Sequence, residues 1–199
     1  MNVSNEQLAS RILDVIEGDI VPLTRRGVAI GDKVFGAAIL RKDDLSLVVA
    51  ASNHETENPL WHGEVHTLKK FYEMAADQHP ATRDCIFVAT HEPCSLCLSA
   101  ITWTGFDNFY FLFGYDDTSD VFNIPHDLKI LKEVFAIENG AYTRTNDYWT
   151  SHSLLAMIDQ LPDGDKAPLL TQVRNLENVY RELSDIYQAS KGDTDIPLA

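Results

Sequence analysis

Three residues of this chain have the chemistry of soft-metal ligands at spacings that let them share one ion: His62, Cys94 and Cys97. Cys94 and Cys97 stand at i and i+3, so on a helix both sulfurs lie on one face and reach the same metal. Pro93, just before them, suits the first helical position, where no amide donor is lost. The unpaired N–H groups and the dipole of such a first turn favour thiolates. His62 opens a second helical stretch, so two helix N-termini are expected to converge on the metal. A zinc ion with three protein ligands keeps its fourth position for water, the arrangement of hydrolytic zinc. Glu64 need not bind the metal. Beside a zinc-activated water it can take a proton, deliver it to a ring nitrogen and then to a leaving amine. Attack on a ring carbon that bears an amino group would then release ammonia.

Other readings of the same residues are blander. Cys94 and Cys97 alone would serve a structural zinc knuckle, which needs a fourth Cys or His, or a redox dithiol, which has no use for His62 and Glu64. His62-Gly-Glu-Val-His66 is not the zincin pattern, because its Glu stands at the wrong offset. His66 reads as a surface or supporting residue rather than a second ligand, and His91 as a loop residue near the site. Cys85, in an apolar run, reads as a core filler.

The elements that must position these groups can be read in order. Asn5–Ile16 has Leu8, Ile12, Val15 and Ile16 on one helical face. Residues 33–40 and 45–51 read as two strands joined at Lys42-Asp43-Asp44, a hairpin. A polar loop over Ser52–Pro59 leads to a helix from His62, with Val65, Leu68, Tyr72 and Met74–Ala76 as its apolar positions. Asp84–Thr90 is almost wholly apolar, the mark of a central strand covered on both faces. It runs straight into His91-Glu92-Pro93 and a helix over Cys94–Trp103. Asn108–Phe113 is the next strand, and the alternation of strands and helices favours a layered α/β fold with parallel pairings. Beyond Tyr115, Asp127–Phe135 and Asp147–Gln160 read as helices and Leu161–Asp165 as a turn. The apolar residues Leu169, Val173, Leu176, Tyr180, Leu183 and Tyr187 mark a long amphipathic helix that packs on its own core or forms a narrow oligomer seam.

The whole chain sets the bounds. Its 199 residues suffice for one core. The formal net charge of −14, with Lys and Arg scattered, argues against a nucleic-acid partner. Three cysteines and a polar N-terminus with no secretory leader point to a reducing, cytoplasmic setting. No apolar run approaches the length of a membrane span.

Glu92-Pro-Cys-Ser-Leu-Cys-Leu-Ser-Ala-Ile-Thr-Trp103 resembles the Glu-Pro-Cys-x-x-Cys-x-x-Ala-Ile-x-Trp pattern of guanine deaminases. His62-Gly63-Glu64 is similar to the corresponding motif of fungal-type cytosine deaminases, with glycine where most relatives have alanine. Together they make the His-x-Glu…Pro-Cys-x-x-Cys signature of zinc deaminases. The resemblance is to the cytidine-deaminase-like superfamily, in its branch of guanine deaminases, tRNA adenosine deaminases and fungal-type cytosine deaminases. It covers about residues 33–115 and is specific from Asn53 to Trp103.

The resemblance implies a three-layer α/β/α sandwich with a central mixed five-stranded sheet, to which this chain adds C-terminal helices. It implies one zinc ion per chain, held by His62, Cys94 and Cys97, with Glu64 as catalytic proton shuttle. Asn53 and the backbone around Gly63 would hold the base, although Asn53 also reads as a turn residue. The C-terminal segment would close over the pocket; candidates for contacts are Tyr115, Asp116, Asp117 and Trp149 with its neighbours Asp147 and Tyr148, besides Trp103 at the end of the motif helix. A homodimer is implied. The chain is read as one deaminase domain over residues 1–190, a core of about 33–136 with a helical extension over about 147–190, and a disordered tail over 191–199. The expected activity is hydrolytic deamination of a small amino-heterocycle, a guanine- or cytosine-like nucleobase. A nucleoside or nucleotide deaminase and a catalytically inactive partner subunit are the alternatives, and the intact Glu64 argues against the second. tRNA editing suits neither the acidic surface nor the short loop from Asn53 to Pro59.

Overall fold

A computed structural model describes residues 3–115 and 125–198 of the chain. Its first helix, α1 (Asn5–Val15), is set by a capping box: the Ser4 hydroxyl accepts from the Gln7 N–H at 3.1 Å and the Gln7 side chain accepts from the Ser4 N–H at 3.0 Å. The helix does not stop where the apolar period ends. It widens through a π-helical turn at Ile16–Ile20 and continues as α2 (Val21–Val28), with Pro22 in the first turn of α2. A proline has no N–H to continue the i→i−4 ladder, which accounts for the local widening.

The strands β1 (Gly36–Arg41) and β2 (Leu47–Ser52) form the expected antiparallel hairpin. They are followed by α3 (Gly63–Glu73), β3 (Cys85–His91), α4 (Ser95–Trp103), β4 (Asn108–Phe113), α5 (His126–Phe135), β5 (Thr150–Ser153), α6 (Leu154–Asp159) and α7 (Asp163–Ser190). The sheet is mixed and five-stranded, in the order β2-β1-β3-β4-β5. β1 is antiparallel to both β2 and β3, and the pairings β3–β4 and β4–β5 are parallel.

Strand periodicity divides the core between two faces. Ala38, Leu40, Ile86, Val88 and Leu112 pack with α1, α2, α6 and α7 on one side. Ala37, Ile39, Phe87, Ala89, Phe109 and Phe111 pack with α3 and α4 on the other. That is a three-layer α/β/α sandwich. Among the described residues, no helix is long and apolar enough to cross a membrane.

Two expectations are corrected. Residues 147–160 are not one helix: they hold β5, a four-residue strand paired parallel to β4, before α6 begins. α3 buries Thr67, Leu68 and Phe71, while Tyr72 is 50% exposed and Met74–Ala76 lie beyond the helix end. Of the two readings of α7, the core face holds: all six of its apolar residues are buried in the chain's own core. In the C-terminal segment Lys191–Asp193 form a 3-10 turn and Ile196 is buried.

Candidate metal centre

His62 is the N-cap residue of α3 and so precedes its first turn. Two contacts fix that turn against the sheet. The N–H of Gly63 donates to Asn53 Oδ1 at the end of β2, and the Thr67 hydroxyl lies within hydrogen-bond reach of both Gly63 O at 2.7 Å and Ala37 O at 3.2 Å. Gly63 is required by close approach: a Cβ there would lie 2.7 Å from Gly36 Cα and 2.9 Å from the Phe35 carbonyl carbon. Two glycines thus let the helix start sit directly on β1.

The cysteines are presented from the other side of β3. Cys94 is the N-cap of α4 and Cys97 lies in its first turn, so the helix starts one residue later than the expected Cys94, and Pro93 precedes the cap rather than occupying the first helical position. The approach to Cys94 is held by Glu92, a buried carboxylate. Glu92 Oε1 accepts from the Tyr142 hydroxyl and from Arg144 Nη1, each at 2.7 Å, and its backbone N–H donates to Phe113 O at 2.7 Å. The Tyr115 hydroxyl donates to Pro93 O at 2.6 Å. β4 and the strand-side loop before β5 therefore brace the cysteine turn.

The three ligand atoms of His62, Cys94 and Cys97 all lie within 4.8 Å of one another. Cys94 Sγ is 3.6 Å from Cys97 Sγ and 3.4 Å from His62 Nδ1. Tetrahedral zinc, with bonds of about 2.3 Å to sulfur and about 2.0 Å to nitrogen, needs edges of about 3.8 and 3.5 Å. The donor set and its spacing fit zinc.

Charge is organised around the same atoms. Cys94 is held well below the usual thiol range by the hydrogen bond from Cys97, against burial, with further help from His62. Burial keeps Cys97 well above that range. Burial alone would discharge His62, but the hydrogen bond and charge of Cys94 outweigh it and raise its pKa to about 9. Glu64 is buried beside the ligands, and desolvation, reinforced by the Cys94 charge, pushes it up to about 7. A carboxyl with a pKa near neutrality can both take and give a proton. Metal binding displaces protons from its ligands.

His62 and Cys94 open on a cavity of about 220 Å³. Its wall is apolar at Phe35, Leu60, Leu96, Ile130 and the tail residues Ile196–Leu198, and polar at Lys33, Glu55 and Asp127. The polar residues were not found by sequence reasoning. Glu55 stands two residues past Asn53 and Lys33 just before Val34-Phe35-Gly36, but neither position carries a pattern that marks it.

Several expected contacts lie elsewhere. Asn53 is buried below the cavity wall, with its amide engaged by Gly63 and by Glu55 Oε2 at 2.6 Å. Trp103 is 91% exposed at the far end of α4, about 9 Å along the helix from Cys97 and about 13 Å from Cys94 at 1.5 Å per residue. Trp149 is a core residue whose indole N–H donates to Thr102 Oγ1 at 2.8 Å. Tyr115 braces Pro93 and does not line the cavity. Asp147 and Tyr148 are exposed, and Asp116 and Asp117 lie outside the described residues. His66 is no ligand: its Nδ1 is 2.8 Å from Ser52 O, and its ring lies against those of His54 and Trp61, which also contact each other. His91 ends β3, buried against Phe35, Phe113 and Tyr180, and Cys85 is a core residue.

Residues 21–113 match the family described as the cytidine and deoxycytidylate deaminase zinc-binding region. No curated protein sequence matches the chain. Among solved structures, the chain is similar to guanine deaminase from Nitrosomonas europaea, at 18% identity and a TM-score of 0.48 over 85% of this chain and 84% of that one. Guanine deaminase from Bacillus subtilis gives 24% identity and a TM-score of 0.49 over 64% and 81%. A tRNA:A34 deaminase gives 16% and 0.45 over 67% and 92%.

Proposed function

Because residues 21–113 match the cytidine and deoxycytidylate deaminase zinc-binding region, we propose that this chain is a hydrolytic deaminase of a small amino-heterocycle, a nucleobase of the guanine or cytosine kind. The observation that carries this reading is the convergence of His62, Cys94 and Cys97 beside buried Glu64, with His62 and Cys94 opening on one cavity. Zinc held there supplies a Lewis acid that activates water and polarises the attacked carbon.

The chain's own residues supply the rest. His62 and the two cysteines hold the ion from two helix starts. Glu64 receives a proton from the attacking water and returns one to the leaving amine. A C–O bond forms as the C–N bond breaks, so water and amine give the oxo ring and ammonia. The apolar wall excludes bulk water and clamps a flat ring. Support for a free base over a nucleotide comes from the lining: among the described residues no arginine is in it, and the one lysine there is already ion-paired.

The test is ammonia release by zinc-loaded protein across free bases, nucleosides and nucleotides, beside Glu64→Gln. The variant is expected to keep its zinc by elemental analysis and to lose turnover by at least about a hundredfold. Undiminished release from fully metallated Glu64→Gln would remove Glu64 from its role.

A further inference from the structure

Lys33 is the least expected residue in the cavity wall. A lysine ammonium has three donors and is strongly hydrated, so burying it demands partners. Its side chain is 6% exposed, and its one side-chain hydrogen bond among the described residues runs to Glu55 Oε1 at 2.8 Å. Glu55 is buried more deeply still, at 2% side-chain exposure, and its other oxygen accepts from Asn53 Nδ2. Glu55 Oε1 also lies 3.7 Å from His62 Nε2, which places the pair one residue away from the metal cluster.

An ion pair kept only for structure would be hydrogen-bonded on all sides, because a half-satisfied buried pair is worse than apolar filling. This one is not. Among the described residues Lys33 retains two N–H donors and Glu55 retains free lone pairs, and both residues line the cavity. The pair is electrically balanced and Asp127 adds a further carboxyl to the wall, so the lining favours a neutral partner over a phosphate or a carboxylate. It presents one donor and one acceptor side by side. The complement of that edge is a carbonyl oxygen next to a ring N–H.

We propose that Lys33 and Glu55 are specificity-determining residues that together read a lactam edge on the substrate, with Lys33 donating to its oxo group and Glu55 accepting from its ring N–H. The assignment rests on the deaminase reading above and narrows it to amino-heterocycles that carry an oxo group beside a ring N–H. Cytosine and guanine have that edge. Adenine and melamine have none, and 1-methylcytosine has lost its N–H. A site that hydrogen-bonds a group rejects the analogue lacking it far better than an apolar pocket separates shapes.

The experiment is calorimetric binding to the zinc-loaded Glu64→Gln protein, which holds bases without consuming them. Its ligands are cytosine, guanine, 1-methylcytosine, adenine and melamine. At least one of cytosine and guanine is expected to bind about tenfold or more tighter than the rings without the edge, as for hydrogen bonds to charged groups. Adding Lys33→Met should abolish that preference while the weak binding of adenine and melamine stays the same. Lys33→Met strands a buried carboxylate, so the charge-neutral double change Lys33→Met, Glu55→Gln is made in parallel, with zinc content and thermal unfolding as checks on the fold. A preference that survives both variants overturns the proposal, as does the absence of any preference or of any binding by cytosine and guanine. Ammonia release separates the two readings. Selective binding without release by the unmutated enzyme sinks the deaminase and leaves the edge, whereas equal release from adenine and cytosine sinks the edge and leaves the deaminase.

Discussion

At the scale of single residues, the proposed function assigns holding the metal and moving the proton to different side chains. The Cys94 and Cys97 sulfurs are spaced as two corners of a tetrahedral set, whereas Glu64 sits beside it with a pKa raised to about 7 by burial. Cys97→Ala is therefore expected to abolish stoichiometric zinc and lower the melting temperature, since metal binding energy is also folding energy. Glu64→Gln should leave both unchanged. Elemental analysis and a thermal melt on the two variants check this, and a fully metallated Cys97→Ala protein would show that the ligand set is misassigned. The residues of this centre are legible in the sequence because metal ligands are few in kind and their spacing is constrained. The same kind of inference failed for Trp103 and Trp149. An aromatic residue beside a motif carries no sign of whether it faces the site, the core or solvent, and these two face solvent and core.

At the scale of elements, the site depends on two helix starts held against one sheet. Gly63 rests on Gly36 so closely that any Cβ would strike backbone rather than a movable side chain. Gly63→Ala is predicted to destabilise the protein by about 1–3 kcal/mol through overpacking, and to weaken zinc binding because His62 is the adjacent residue. Denaturant unfolding together with competition against a zinc chelator measures both; a change in stability with unaltered zinc affinity would mean that α3 moves as a unit without displacing its cap. β3 and β4 were legible as continuous apolar runs because they are covered on both faces. β5, Thr-Ser-His-Ser, was not. It is a short polar edge strand, specified by its pairing to β4 rather than by any pattern of its own.

At the scale of the whole molecule, the cavity is closed by distant parts of the chain. Ile196, Pro197 and Leu198 form part of its apolar wall, opposite residues that follow α2 and precede α3. Deleting residues 195–199 is predicted to raise KM for the base that is turned over by about tenfold, the loss of one or two buried apolar contacts, with kcat little changed. Steady-state kinetics on the truncated chain decide it: a fall in kcat at constant KM would place the tail in catalysis rather than binding. The sequence by itself picked out the His62, Cys94 and Cys97 cluster, the carboxylate beside it, the hairpin, the central strands and the buried stripe of α7. Each of those is written in spacings within one element, where periods of 3.6 and 2 translate directly into geometry. Only the tertiary structure decided that Lys33, Glu55 and the tail share a wall with His62, that Glu92 is braced from beyond β4, and that Asn53 props Gly63 from beneath. Those neighbours come from segments far apart in the chain, and no local period encodes the distance between them.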